Sequence, residues 1–172
     1  ARLKERIQFV HEQVKSDALI EEYIEGRELY VAVLGNERLT RLPVWEMVFG
    51  TLGDSAAAIA TRKVKWDKRY QQKHGITTHA ALDLSPTIVA RLDKLSRRIY
   101  RALGMSGYAR MDFRVTPAGE VYVLEANPNP NLSEDEDFSQ SALATDIAYA
   151  EMLDRIMALG LSYQAEWRAY YG

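Results

Sequence analysis

Few folds are open to a chain that carries GYARMDFRVTPAGEVYVLEANPNPNLS, Gly107 to Ser133. Ala109 to Thr116 and Val121 to Asn127 alternate polar and apolar residues around Pro117-Ala118-Gly119-Glu120, which is the pattern of a β-hairpin. In the first strand Ala109, Met111, Phe113 and Val115 share one face, and Arg110, Asp112 and Arg114 share the other. In the second, Tyr122, Leu124 and Ala126 go with the apolar face, which leaves Val123, Glu125 and Asn127 with the charges. A four-residue turn then sets Thr116 against Val121, Asp112 against Glu125 and Arg110 against Asn127. A slip by one residue would mix the faces.

Two opposed carboxylates repel by about 4 kcal/mol at about 4 Å and an intermediate dielectric. A positive charge is therefore expected between them. One reading is a solvated outer face on which Arg110 and Arg114 neutralise the acids. The other is a binding site, because Asn127-Pro128-Asn129-Pro130-Asn131 puts two rigid prolines and three amides at the strand exit, where irregular backbone can face a ligand. Hard oxygen donors without cysteine or paired histidine point to magnesium or a similar ion.

The same stretch resembles the catalytic end of an ATP-grasp ligase, above all the C-terminal part of the D-alanine:D-alanine ligase group, in its Arg-x-Asp on one strand and Glu-x-Asn-Pro on the next. LIEEYIEGRELYVAVLG, Leu19 to Gly35, is similar to that group's adenine and ribose segment, and with the intervening helices the resemblance covers nearly the whole chain. It implies an α+β fold, the C-terminal lobe of an ATP-grasp domain, with a mainly antiparallel sheet flanked by helices. Residues 1–24 would be the remainder of the small lobe and the hinge strand, and 25–172 the large catalytic lobe with a mobile loop at about 50–83.

The activity the resemblance implies is activation of a carboxylate as an acyl phosphate and its joining to an amine, with ATP and magnesium, or manganese in its place, as cofactors. Glu21 would meet the adenine amino group, Glu22 and Ile24 would offer backbone hydrogen bonds to the ring, and Glu28 would take the ribose hydroxyls. Lys65, followed by Trp66, would neutralise phosphate charge from a lid, with Arg62 and Lys63 near enough to move that role by a residue or two. Asp112, Glu125 and Asn127 would hold two magnesium ions, and Arg110 would stabilise charge on the reacting oxygen. Asn131 stands where the group usually has a glycine whose N–H helps form an oxyanion hole, and asparagine tolerates the left-handed backbone a glycine would supply. Glu134-Asp135-Glu136-Asp137 replaces the small, hydroxyl-bearing loop that recognises the second D-alanine.

Composition narrows the alternatives. Lys plus Arg is 22 against 24 for Asp plus Glu, so no basic excess argues for nucleic acid or a membrane surface. Cysteine is absent, which excludes a disulfide scaffold or zinc ribbon and is compatible with a reducing cytoplasm. Small-molecule carboxylate and amine substrates are the expected partners, without nucleic acid or membrane, and a homodimer is compatible with the resemblance. The chain opens on Ala1 in a helical pattern, as a fragment of something longer would, and the family's glycine-rich loop, two upstream lysines and substrate domain have no counterpart. On that reading the chain alone is not a competent ligase. Two other readings stay open: a nucleotide-binding or regulatory module that does no chemistry, and a structural domain whose charged faces are only solvated. His11, His74 and His79 lack the paired spacing of a metal hydrolase.

Elsewhere, Leu3, Ile7, Val10 and Val14 predict an amphipathic helix over 2–15 that covers a sheet. Ala18–Ile24 and Arg27–Leu34 read as strands around Glu25-Gly26, with Glu21, Glu22, Glu25 and Glu28 also suiting a solvated strand edge. Leu39–Phe49 reads as one or two strands with Pro43 at an edge or start, and Gly50–Asp83 as a long loop with at most a short helix. Ser85-Pro86 starts a helix whose stripe is Ile88, Leu92, Leu95, Ile99 and Leu103, ended by Gly104. A helix from about Ser139 to Leu159, stopped by Gly160, and an aromatic-rich helix from Ser162 to Tyr171 complete the chain.

Overall fold

The run Leu29-Tyr30-Val31-Ala32-Val33-Leu34 is apolar on both of its alternating sides, the composition of a strand covered on both faces. It becomes the centre of the sheet. β1 (Arg27–Leu34) buries every residue but its first and stands third in a five-stranded sheet with β2 (Thr40–Val48), β3 (Thr77–Ala80), β4 (Tyr108–Val115) and β5 (Val121–Asn127). The order is β3-β2-β1-β4-β5 and every pairing is antiparallel. The structure, a computed structural model, describes residues 2–50, 64 and 67–164.

One face of the sheet is closed by a helix between β3 and β4. Here α1 is Arg2–Phe9, α2 is Lys68–His74, and α3 is Pro86–Ala102. Ser85 caps α3 by accepting a 3.3 Å hydrogen bond from the Ile88 N–H, with Pro86 at the first position. Leu92 and Tyr100 of α3 pack on Leu29, Val31, Val33, Met111 and Phe113, with Ile88, Leu95 and Ile99 around them. Leu103 departs from the expected stripe: it is 60% exposed, because α3 ends before it and Gly104 turns the chain away at a φ of 61°.

On the other face α4 (Asp137–Leu143) and α5 (Tyr149–Ser162) cover one end, where Phe138, Ala142, Ile147 and Met152 meet Ala32, Leu34 and Leu42. The single helix expected over Ser139–Leu159 is therefore two. Asp146 takes a left-handed φ of 59°, and the break lets Ile147 turn into the core. Gly160 does not stop α5, which runs on to Ser162. Most of the helix expected over Ser162–Tyr171 lies outside the described residues.

Other expectations are corrected near the start of the chain. α1, continued by one wider π turn at Val10–Val14, buries none of its residues, so its apolar side does not cover the sheet. Ala18–Ile24 is not a strand; Leu19 is 83% exposed, and an alternation that buries nothing has nothing to hold it extended against a partner. Leu39–Phe49 yields one strand, and Pro43 sits inside it rather than at an edge. Val31 opposes Val44 while Val33 opposes Arg41, so Leu42 and Pro43 share a bulge where proline's missing N–H costs no ladder bond. Within the expected loop 50–83, Asp67 caps α2 by accepting from the Tyr70 N–H at 3.0 Å, and β3 adds an edge strand. Its sequence, Thr77-Thr78-His79-Ala80, carries no apolar alternation to announce it.

In the hairpin, Asp112 opposes Glu125 and Arg110 opposes Asn127, as the alternation predicts. The turn, however, has three residues. Thr116 donates to the Glu120 carbonyl at 2.9 Å, and Gly119 takes the left-handed φ of 83° that lets Pro117–Gly119 close the loop. Val115 thus opposes Val121 and Phe113 opposes Val123, one residue off the expected register. Leu124 is the extra residue of a bulge that takes the offset back before Glu125. Tyr122 consequently lies on the charged face and Val123 on the apolar one, the reverse of expectation.

Candidate active site

The alternation that sends Leu29, Val31, Met111 and Phe113 to α3 sends Glu28, Tyr30, Arg110 and Asp112 to the opposite face. There, between α2 and the acidic loop before α4, lies a cleft of about 500 Å³. Tyr30, Met47, Thr78, Arg110, Glu125 and Asn127 form its floor. Lys68 and Gln71 of α2 form one wall, and Asn131 with Asp135, Glu136 and Asp137 forms the other.

Arg110 answers the demand for positive charge beside the opposed acids. Its Nε donates to Asp112 Oδ1 at 2.8 Å and its Nη2 to Oδ2 at 2.9 Å, a fork that fixes the carboxylate plane. Asp137 adds a second acid at 3.9 Å, and the guanidinium lies 4.6 Å from the Tyr30 ring centroid. Burial pulls the Arg110 pKa down, but the Asp112 bond and charge outweigh it and hold the group above the ordinary arginine value. Burial, reinforced by Glu28 and Asp112, pushes the Tyr30 phenol well above its usual range.

Glu28 is not on a solvated edge. It is 3% exposed, accepting from the Tyr30 hydroxyl at 2.8 Å and from Arg114 Nη2 at 2.6 Å. Glu21 and Glu22 are exposed and Ile24 is half-buried, in the irregular segment that leads to β1. Gly26 is required there because a Cβ would collide with the Val115 carbonyl.

The acidic wall is itself structured. Lys68 reaches from α2 to Asp135 at 3.0 Å; that bond raises the lysine's pKa and lowers the acid's. Burial, then Asp137 and Asp135, push Glu136 up. Asn131 does not take the left-handed backbone that would mimic glycine: among the described residues only Lys15, Asp83 and Asp146 do so without being glycine. Its side chain instead accepts from the Ser133 N–H at 3.1 Å and hydroxyl at 2.9 Å, which holds the loop in an Asx turn.

The structure thus brings together Arg110, Asp112, Glu125, Asn127 and Asn131, with Glu28 beside them on the same sheet face, and leaves Glu21, Glu22 and Ile24 on the approach. Lys65 lies outside the described residues; the preceding Val64 packs with Tyr30 and Met47. Sequence reasoning did not single out Tyr30, Lys68 or Gln71. Tyr30 was legible, two residues from Glu28 and hence on the same face. The α2 residues were not, because their place depends on where a helix inside an unpatterned stretch docks. Asp112 and Glu125 in opposed ladder positions, with Asn127 two residues on, make a donor set of two carboxylates and an amide, the oxygen chemistry of a hard cation; among the described residues no three His, Cys, Asp or Glu side chains form a metal cage.

Residues 2–158 match the family described as D-ala D-ala ligase C-terminus. The chain is 33% identical over 148 residues to a D-alanine–D-alanine ligase of Desulfotalea psychrophila, covering 83% of this chain and 42% of that protein. It is 29% identical over 157 residues to an uncharacterised protein, y4sG, of Sinorhizobium fredii, covering 91% of this chain and 45% of that one. In structure it is similar to the D-alanine–D-alanine ligase of Bacillus anthracis complexed with ATP, at a TM-score of 0.72 and 26% identity over 99% of this chain and 48% of that chain. The chain spans less than half the length of each of these proteins.

Proposed function

Because the chain belongs to the D-alanine–D-alanine ligase C-terminal family, we propose that it is the ATP- and magnesium-holding part of a ligase that activates a carboxylate as an acyl phosphate and joins it to an amine. The observation that carries this reading is the opposed pair Asp112 and Glu125, with Asn127 two residues on and Arg110 forked onto Asp112, all on the sheet face that carries the cleft. Such a reaction needs positioning and charge neutralisation more than a covalent nucleophile.

Asp112, Glu125 and Asn127 would hold magnesium, whose charge supports transfer of the terminal phosphate. Arg110, 12% exposed, presents its guanidinium to the cleft and would stabilise negative charge on the reacting oxygen. Glu21, Glu22 and Ile24 would meet the adenine, Glu28 the ribose, Lys65 the phosphates, and Asn131 the reacting carbonyl from the far wall. The amine then displaces phosphate from the acyl carbon and loses a proton, giving the amide. The setting we propose is cytoplasmic; among the described residues no helix is long and apolar enough to cross a membrane.

The test is calorimetric titration of the full-length protein with a non-hydrolysable ATP analogue, with and without magnesium, beside Glu125→Gln. The expected result is magnesium-dependent binding that the variant loses, with turnover abolished in Glu125→Gln and Asp112→Asn while both fold. Unchanged turnover in either variant would remove the metal assignment.

A further inference from the structure

The segment that would read the nucleotide, Glu21 to Gly26, has no ladder of its own, yet one side chain holds it at two points and the strand it leads into at a third. Arg114 stands opposite Glu28 in the β1–β4 ladder. Its Nη2 donates to Glu28 Oε2 at 2.6 Å, its Nη1 donates to the Gly26 carbonyl at 3.1 Å, and its guanidinium carbon lies 5.6 Å from the Tyr23 ring centroid. Both ends of the ion pair are 3% exposed. A planar fork can hold a carboxylate and a carbonyl together; an ammonium on a flexible stem holds neither plane. The Tyr30 hydroxyl fixes the other oxygen of Glu28, so the carboxylate has one orientation.

We propose that Arg114 is the positioning residue of the nucleotide site, setting the Glu28 carboxylate and the Tyr23–Gly26 backbone for adenosine while touching neither the phosphates nor the reacting atoms. The inference rests on the proposed ATP-dependent activity. It gives the charged face two arginines with separate tasks. Arg110, forked onto Asp112, belongs to the chemistry; Arg114, four residues on, with one nitrogen on Glu28 and the other on the Gly26 carbonyl, belongs to binding.

The experiment is steady-state kinetics of the full-length protein with ATP varied, for wild type, Arg114→Lys, Arg114→Met, Glu28→Gln and the Glu28→Gln/Arg114→Met double variant, each with a thermal melt. The expected result is an ATP KM raised about tenfold in Arg114→Met and by less in Arg114→Lys, with kcat within about twofold. In the Glu28→Gln background Arg114→Met adds less than it does alone, because the part that acts through the carboxylate is already lost and only the hold on the Tyr23–Gly26 backbone remains to be removed. If Arg114→Met does not fold, Arg114→Lys carries the test. A KM in the folded variants equal to or below that of wild type would overturn the assignment, as would losses in kcat equal to those in KM. A folded wild type that neither binds nor turns over ATP would overturn the ligase reading and this inference with it.

Discussion

The Ser96 hydroxyl is buried between α3 and the sheet with no hydrogen-bond partner, beside Leu92 and Tyr100. An unsatisfied buried hydroxyl is destabilising by about 1–3 kcal/mol. Ser96→Ala is expected to raise stability by about 1 kcal/mol, read as a higher denaturant midpoint at unchanged slope. Tyr100, one turn on, is the opposite case: its hydroxyl donates to the Gly35 carbonyl at 2.7 Å, and burial pushes the phenol up to about 12. The folded state therefore keeps a proton that the unfolded chain releases near pH 10, so Tyr100's contribution is whole below pH 10 and is lost as pH climbs to about 12. Tyr100→Phe is expected to be less stable by about 1–2 kcal/mol at neutral pH and to show a shallower decline over that alkaline range, measured by denaturant titration at each pH. Asp112 was legible because alternation places it whatever the rest of the fold does, whereas Glu125 opposes it as expected only because the Leu124 bulge takes back the offset of the shorter turn. The burial of Glu28 was not legible, because it depends on Tyr30 and on Arg114 from a strand more than eighty residues away in sequence.

At the scale of elements, α3 and the β4–β5 hairpin could be read from the sequence because their signals are local: a Ser-Pro start, a helical stripe, two alternating runs. The turn was misread by one residue, since four turn-forming letters do not reveal which of them already belongs to a strand, and only the left-handed Gly119 decides it. α1 shows the limit of periodicity, because an apolar stripe states that a helix can pack and not that it does. Its amides are expected to exchange hydrogen far faster than those of β1, which mass spectrometry after brief labelling would resolve; equal protection would mean that α1 is held by contacts this structure does not contain.

Taken as a whole, the molecule divides its work between the two sides of one sheet: α3 closes one side, and the other carries the Arg110–Asp112 and Arg114–Glu28 pairs and the cleft, with α4 and α5 packed over one end. The architecture could be inferred from the sequence, whereas the cleft's walls could not, since α2 and the acidic loop meet there from separate parts of the chain. ATP analogue with magnesium at a hundred times its Kd is expected to stabilise the full-length protein by about 2.7 kcal/mol, seen as a higher Tm that chelation reverses. Leu124 bears on that division in a further way. With this leucine struck out, Val121-Tyr122-Val123-Glu125-Ala126-Asn127 is a plain two-beat strand, valines and alanine to one side, tyrosine, glutamate and asparagine to the other. The leucine is thus a spare beat that costs the strand none of its facings, and a chain shortened by that one residue keeps Glu125 opposite Asp112. What the deletion removes is the local twist that a bulge imparts. A deletion variant that folds as well as its parent but no longer turns over ATP would show that the strand carries its extra residue for aim.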